Sequence, residues 1–295
     1  MKEEVFNGIK YQLDEEILTA DVIENVGRER KVDIPEVVVF NEVSYRVTRI
    51  KVEGFSGYSS LTSITIPKSV TSIEPGAFSG CDSLVSIVVA EGNTVYDSRD
   101  NCNAIIEKAT NTLICGCRNT TIPNSVTSIG VRAFNECFKL TTITIPDSVT
   151  EIGTRAFANC HKLTDITIPD SVTSIGERAF LWCFSLSTVT IPNSVTTIRK
   201  RAFSGCGVQT VIISDSVTSI GEGAFLDCES LEEIVIGNSV KSIGVEAFYR
   251  CDMLTNIRFQ GTIAQWGRIE LGDGWNDEVC TTVVSCSDGD VEIFD

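Results

Sequence analysis

Apolar residues in this chain alternate over short runs, then recur at wider intervals, and the combined pattern repeats along most of the sequence. In Leu140-Thr141-Thr142-Ile143-Thr144-Ile145 the two isoleucines are two positions apart, so on a strand both face inward while Thr142 and Thr144 face out. Pro146 lacks an N–H and ends the ladder. Ser148 brings a hydroxyl able to bond backbone groups of the turn, Val149 and Ile152 supply the next apolar pair, and Gly153 permits a tight turn. Ala156-Phe157 and Cys160 fall at one helical turn's spacing, which predicts a short helix or 3₁₀ turn on the opposite side. One such unit cannot cover its own apolar face, so it must stack on neighbours.

The spacing of marker residues says the same. Phe134, Phe157, Phe180 and Phe203 follow one another at 23 residues, Phe225 at 22 and Phe248 at 23; Cys137, Cys160, Cys183, Cys206, Cys228 and Cys251 keep the same steps. Phe55 and Phe78 are also 23 apart. A period this strict marks an array of like units. We therefore expect an α/β solenoid, a right-handed leucine-rich-repeat stack of about nine coils between N- and C-terminal caps. Phe78, Phe134, Phe157, Phe180, Phe203, Phe225 and Phe248 should form one continuous buried column. Cys137, Cys160 and Cys183 should pack beside it as small hydrophobes. The 22-residue step should appear as a local shortening at Gly207-Val208 that leaves the sheet intact, because the strand segments on both sides are full length.

The unit L-x-x-I-x-I-P-x-S-V-x-x-I-G-x-x-A-F-x-x-C, repeated densely as in Ile122-Pro123-Asn124-Ser125-Val126 through Gly130 and Ile168-Pro169-Asp170-Ser171-Val172 through Gly176, resembles the BspA-like leucine-rich repeats of bacterial surface proteins. Residues 90–119 look like the long irregular coil often interspersed in such proteins, residues 1–46 like an N-terminal cap and residues 260–295 like a C-terminal cap unit. The repeats proper then span 47–259. Arg199-Lys200 in place of the turn glycine, and Ser214 and Gly237 in place of proline, depart from the pattern. The resemblance implies a non-enzymatic, adhesin-like protein-binding module at the cell surface or outside the cell, contacting host or matrix proteins.

Charge narrows the partners. A net charge of −16 and a pI near 4.5 argue against nucleic acid or an anionic membrane, which need a concentrated positive field. No apolar run approaches a membrane span, so membrane insertion is not expected. Residues 1–8 contain no apolar h-region, so no signal peptide is read in this chain, and a cytoplasmic location is the alternative. His161 is the single histidine, which rules out a multi-histidine metal centre, and no nucleophile elbow, P-loop, zincin or dinucleotide motif is present. We expect no enzyme activity, cofactor or metal. Glu232 and Glu233 point to opposite faces of one strand and make a poor acid–base pair. Stacked cysteine side chains lie alongside rather than toward one another, so the repeat thiols are expected to stay free. Cys102, Cys115 and Cys117 in the long coil, and Cys280 with Cys286 near the end, remain open as disulfide partners.

Surface is what is left to carry function. Outward strand positions hold Thr142, Thr144, Asp165, Thr167, Thr188, Thr190, Glu233 and Arg258, and the turns that follow hold Asp147, Asp170 and Asn193. Threonine favours strands and Asp or Asn favours turns, so the fold alone accounts for these types one by one. Taken as a platform, they form the kind of extended surface through which solenoids bind proteins. Trp182, Phe184, Tyr249, Trp266 and Trp275 are the aromatic anchors to test, with sealing of the last coil as the competing role for the last two. An intracellular or periplasmic protein-interaction scaffold is the alternative function, and a monomer or weak self-association is expected.

Overall fold

The computed structural model describes residues 2–293, and the chain divides into two compact units, Met1–Phe138 and Lys139–Asp295. The first unit opens with antiparallel strands Lys2–Phe6, Ile9–Asp14 and Thr19–Asn25. Thr19–Asn25 then pairs in parallel with Val43–Ile50, which pairs in parallel with Ser72–Ile73. Beside them, Lys31–Asp33, Ser63–Ile66 and Ser86–Val89 form a parallel sheet whose Val32, Ile64 and Ile87 are buried. The long coil departs from this scheme. Its strands Tyr96–Asp97, Ile105–Glu107 and Thr112–Cys115 run antiparallel before Thr112–Cys115 pairs in parallel with Ser128–Ile129.

The second unit is the more regular. Strands Thr188–Thr190, Thr210–Ile213, Glu233–Ile236, Asn256–Phe259 and Val283–Cys286 form one parallel sheet. Their alternation buries Val189, Val211, Ile234, Ile257 and Val284 on one side. A narrow second sheet follows in each coil, from Thr197–Ile198 through Ser219–Ile220 and Ser242–Ile243 to Glu270–Leu271. The serine of this turn joins coils: Ser171, two residues after Pro169, and Ser216, two residues after Ser214, donate to the carbonyls of Val149 and Val195 at 2.7 and 2.9 Å.

The expected leucine-rich-repeat solenoid with a period of about 23 residues is borne out, as a β-solenoid of about 12 turns rather than about nine and with little helix. Parallel strands at Lys31–Asp33 and Val283–Cys286 extend the stacking past the Phe55–Phe248 span on which the lower count rested. The residues expected as a helical turn are instead successive tight turns. Arg155 and Asn159, and Arg178 and Trp182 one coil on, have φ between 55° and 62°, a left-handed conformation that a helix cannot contain. Alternate N–H groups leave the coil altogether: those of Arg155, Phe157 and Asn159 donate to the carbonyls of Glu177, Ala179 and Leu181 at 2.7–2.9 Å. Among the described residues the one α-helix is Ile263–Trp266, with a capping box of Thr262 and Gln265.

Phe157, Phe180, Phe203, Phe225 and Phe248 are fully buried and stack with centroids 5.3–5.6 Å apart and planes within 10°. In the first unit Phe55 and Phe78 stack in the same way at 5.3 Å. The column is not continuous there. Gly116 of the long coil stands in the phenylalanine's place, its N–H donating to the Ala133 carbonyl at 2.9 Å. The buried Phe134 ring fills the vacancy so closely that a Cβ on Gly116 would lie 2.2 Å from its Cε1. The repeat glycine likewise serves close approach rather than a tight turn, since a Cβ on Gly176 would lie 2.5 Å from the Thr154 nitrogen.

The repeat cysteines do more than fill space. The thiols of Cys183, Cys206, Cys228 and Cys251 donate to the carbonyls of Phe157, Phe180, Phe203 and Phe225 at 3.1–3.2 Å, which ties each coil to the one before it. Burial pushes the Cys206, Cys228 and Cys251 thiols well above their usual range, and in the first unit it pushes Cys81 up to about 12. Cys160 is buried and Cys137 half-buried, and none of the twelve cysteines is joined in a disulfide. The candidates for bridging are among them: Cys102, Cys115 and Cys117 are buried, Cys286 is half-buried, and the exposed Cys280 donates to the Asp252 carbonyl.

The 22-residue step falls where it was expected. Thr188 pairs with Thr210 without interruption of the sheet, and Gly207 and Gln209 bridge the short segment by donating to the carbonyls of Cys183 and Ser187.

Candidate binding surface

In the second unit the sheet's outward positions line up in columns. Thr142 bridges to Asp165, and one coil on Thr188 faces Thr210, then Glu233, then Asn256. Thr190 faces Ile212, then Val235, then Arg258, with Thr144 and Thr167 at the equivalent places of the preceding coils. Asp147, Asp170 and Asn193 are exposed at the turns after the strands. All the candidate residues are exposed except Glu233, which is half-buried.

Two groups are already engaged. Glu233 accepts hydrogen bonds from Arg258 and from the Asn256 amide across adjacent strands, so Glu233 and Arg258 present a neutralised pair rather than two free charges. The turn column also has a structural use, since Asp215 accepts the Asn238 N–H at 2.8 Å.

Sequence reasoning missed the centre of this face. Ile212 is 51% exposed and Val235 is half-buried, and both occupy the column that holds threonine in three earlier coils. The signal was present in Val211-Ile212-Ile213, where strand alternation turns the middle residue outward. The face is therefore an apolar centre flanked by Thr167, Thr190, Asp165 and Thr188 on one side and the Glu233–Arg258 pair on the other.

The cap tryptophans do not belong to it. Trp266 and Trp275 are buried, with Trp275 edge-on to Phe248 at 6.1 Å and Trp266 against Phe259 at 5.4 Å, so they seal the last coil. Tyr249 is half-buried and its hydroxyl donates to Glu278 at 3.2 Å. Trp182 and Phe184 are exposed, away from the sheet. Among the described residues no group of three or more His, Cys, Asp or Glu side chains is placed to hold a metal ion, and no helix is long and apolar enough to cross a membrane.

Residues 40–107, 104–228 and 153–269 match the BspA type leucine rich repeat region, present in 6 copies. The chain belongs to the BspA-type leucine-rich-repeat family. Its fold is that of a leucine-rich repeat protein from Eubacterium ventriosum, 22% identical, with 93% of this chain and 94% of that chain covered at a TM-score of 0.66. A leucine-rich repeat protein from Bacteroides ovatus is 25% identical over 93% of this chain and 80% of its own, at a TM-score of 0.50. A leucine rich cell surface protein from Faecalibacterium prausnitzii is 25% identical over 92% of this chain and 98% of its own, at a TM-score of 0.37. None of the curated proteins matches the sequence. In BspA-type terms, the inward isoleucines, the phenylalanine and the cysteine of each coil build the stack, and the positions between the isoleucines are left to solvent.

Proposed function

We propose that this BspA-type chain is a non-enzymatic protein-binding module of a bacterial surface protein, and that it contacts host or matrix proteins through the strand face of residues 139–295. The observation that carries this reading is the exposed Ile212 beside Val235 within a rim of threonine and acidic side chains. An apolar centre with a polar rim is the anatomy of a protein interface. Thr142, Thr144, Asp147, Asp165, Thr167, Asp170, Thr188, Thr190 and Asn193 supply small polar contacts around it, and the Glu233–Arg258 pair closes the far side. Such a face needs no cofactor. Family resemblance supports the cell-surface setting.

Immobilised extracellular-matrix proteins, probed with the whole chain at physiological salt, test the reading. Saturable binding to at least one of them is expected. Absence of binding across the panel would contradict it, and recovery of a cytosolic partner in its place would favour the intracellular scaffold.

A further inference from the structure

The short coil leaves a second feature on the unit of residues 139–295, apart from the strand face. Trp182 is 45% exposed and Phe184 is 56% exposed, on either side of the buried Cys183. The His161 ring packs against Phe184 with centroids 4.9 Å apart. Trp182 has φ 58°, a left-handed conformation uncommon for a bulky residue, at a position that the next coil fills with Gly205 at φ 69°.

The next coil is bare at this point because it is one residue short and carries two glycines. The Trp182 indole lies across Gly205, where a Cβ would stand 2.3 Å from its Cδ1. A Cβ on Gly207 would stand 2.1 Å from the Phe184 carbonyl oxygen. Beyond the glycines the opposite wall is polar: Asp227, Glu229, Ser230 and Arg250, with Arg250 Nη1 3.1 Å from Asp227 Oδ1. The open cleft between the aromatic wall and the polar wall has a volume of about 360 Å³.

We propose that this cleft binds a neutral glycan, one or two pyranose units lying against Trp182 and Phe184. A pyranose has an apolar C–H face, which stacks on an exposed aromatic ring by dispersion, and a rim of hydroxyls. Each hydroxyl both donates and accepts, so it satisfies the Glu229 and Asp227 carboxylates and the Arg250 guanidinium alike through charge-assisted bonds. A cationic ligand would meet Arg250, and an anionic one would meet Asp227 and Glu229. A wholly apolar ligand would strip water from the Asp227–Arg250 pair without replacing its hydrogen bonds. The volume is at the small end of ligand sites, which suits one or two sugar units. This site is independent of the strand face and of any matrix-protein binding there.

Tryptophan fluorescence reads the cleft directly, because Trp182 is exposed while Trp266 and Trp275 are buried. The whole chain is titrated with lactose, maltose, cellobiose and N,N′-diacetylchitobiose. At least one should give a saturable change in emission, weakened about tenfold or more in Phe184→Ser and Glu229→Gln. Trp182→Gly, which installs the residue that the next coil carries, should keep the circular dichroism of the parent and lose the saturation-transfer NMR signal of that sugar. The proposal is overturned if none of the four sugars gives a saturable response, or if folded Trp182→Gly retains the NMR signal. A response to a lysine-rich peptide and to none of the sugars would also overturn it, in favour of a peptide site.

Discussion

Phe180→Ala is expected to cost about 3–5 kcal/mol of unfolding free energy, at the upper end of what core truncations do. Its ring stacks on Phe157 and on Phe203 at 5.3 Å, so the cavity would have an aromatic wall on either side. Those walls cannot collapse into the gap. The N–H of Phe180 is tied to the Ala202 carbonyl and the Cys206 thiol to its own carbonyl, which hold the coils at fixed spacing. Denaturant unfolding of the two proteins measures the loss, and a transition midpoint equal to that of the parent would contradict the stacked column. An array need not unfold in one step, so the first transition to move is the informative one.

Truncation after Gln260 should do more damage, driving the shortened chain to aggregate. The cut takes away Trp275, which closes the column over Phe248 and whose carbonyl accepts the Phe248 N–H, together with Trp266, which covers Phe259. It also strips the strand Val283–Cys286 from Asn256–Phe259 and leaves an open, flat, partly apolar edge. Terminal coils of a repeat array need a sealed outer side to stay soluble. Size-exclusion chromatography with light scattering is expected to show aggregate or higher oligomer. A monomer with the parent's melting temperature would show that the tryptophans are dispensable. The same reasoning means that binding lost on truncation would not map a site, whereas a single exposed substitution would.

Much of this architecture was legible in the sequence because burial in a stacked coil imposes a period that side chains cannot evade. Ile143 with Ile145, Phe157 and Cys160 recur since every coil must present the same shape to the next. What stayed hidden was decided by hydrogen bonds between coils. The Ala156-Phe157 segment has helical spacing, yet the Phe157 N–H goes to the neighbouring coil while that of Ala156 stays within its own, and only the backbone shows it. Gly116 in the phenylalanine's place could not be placed by counting, because the long coil breaks the period. On the candidate face, threonine columns were read from strand parity, while Ile212 and Val235 were not counted among the outward positions although the same parity turns them out. For the cap tryptophans the sequence weighed anchoring against sealing of the last coil, and packing against Phe248 and Phe259 decides for sealing.

A matched pair of substitutions tests most directly whether partners bind the strand face. Ile212, on that face, and Val245, on the turn side, are both exposed, 51% and 43%, and changing either to aspartate adds the same charge. Their affinities for whichever matrix protein the parent chain binds are measured side by side, with melting temperatures confirming that both variants are folded. Ile212→Asp should weaken binding by roughly tenfold or more, about 1.4 kcal/mol, because it puts a charge at the apolar centre of the contact. Val245→Asp should bind like the parent. Parent-like binding by Ile212→Asp with loss in Val245→Asp would place the contact on the turn side and contradict the account.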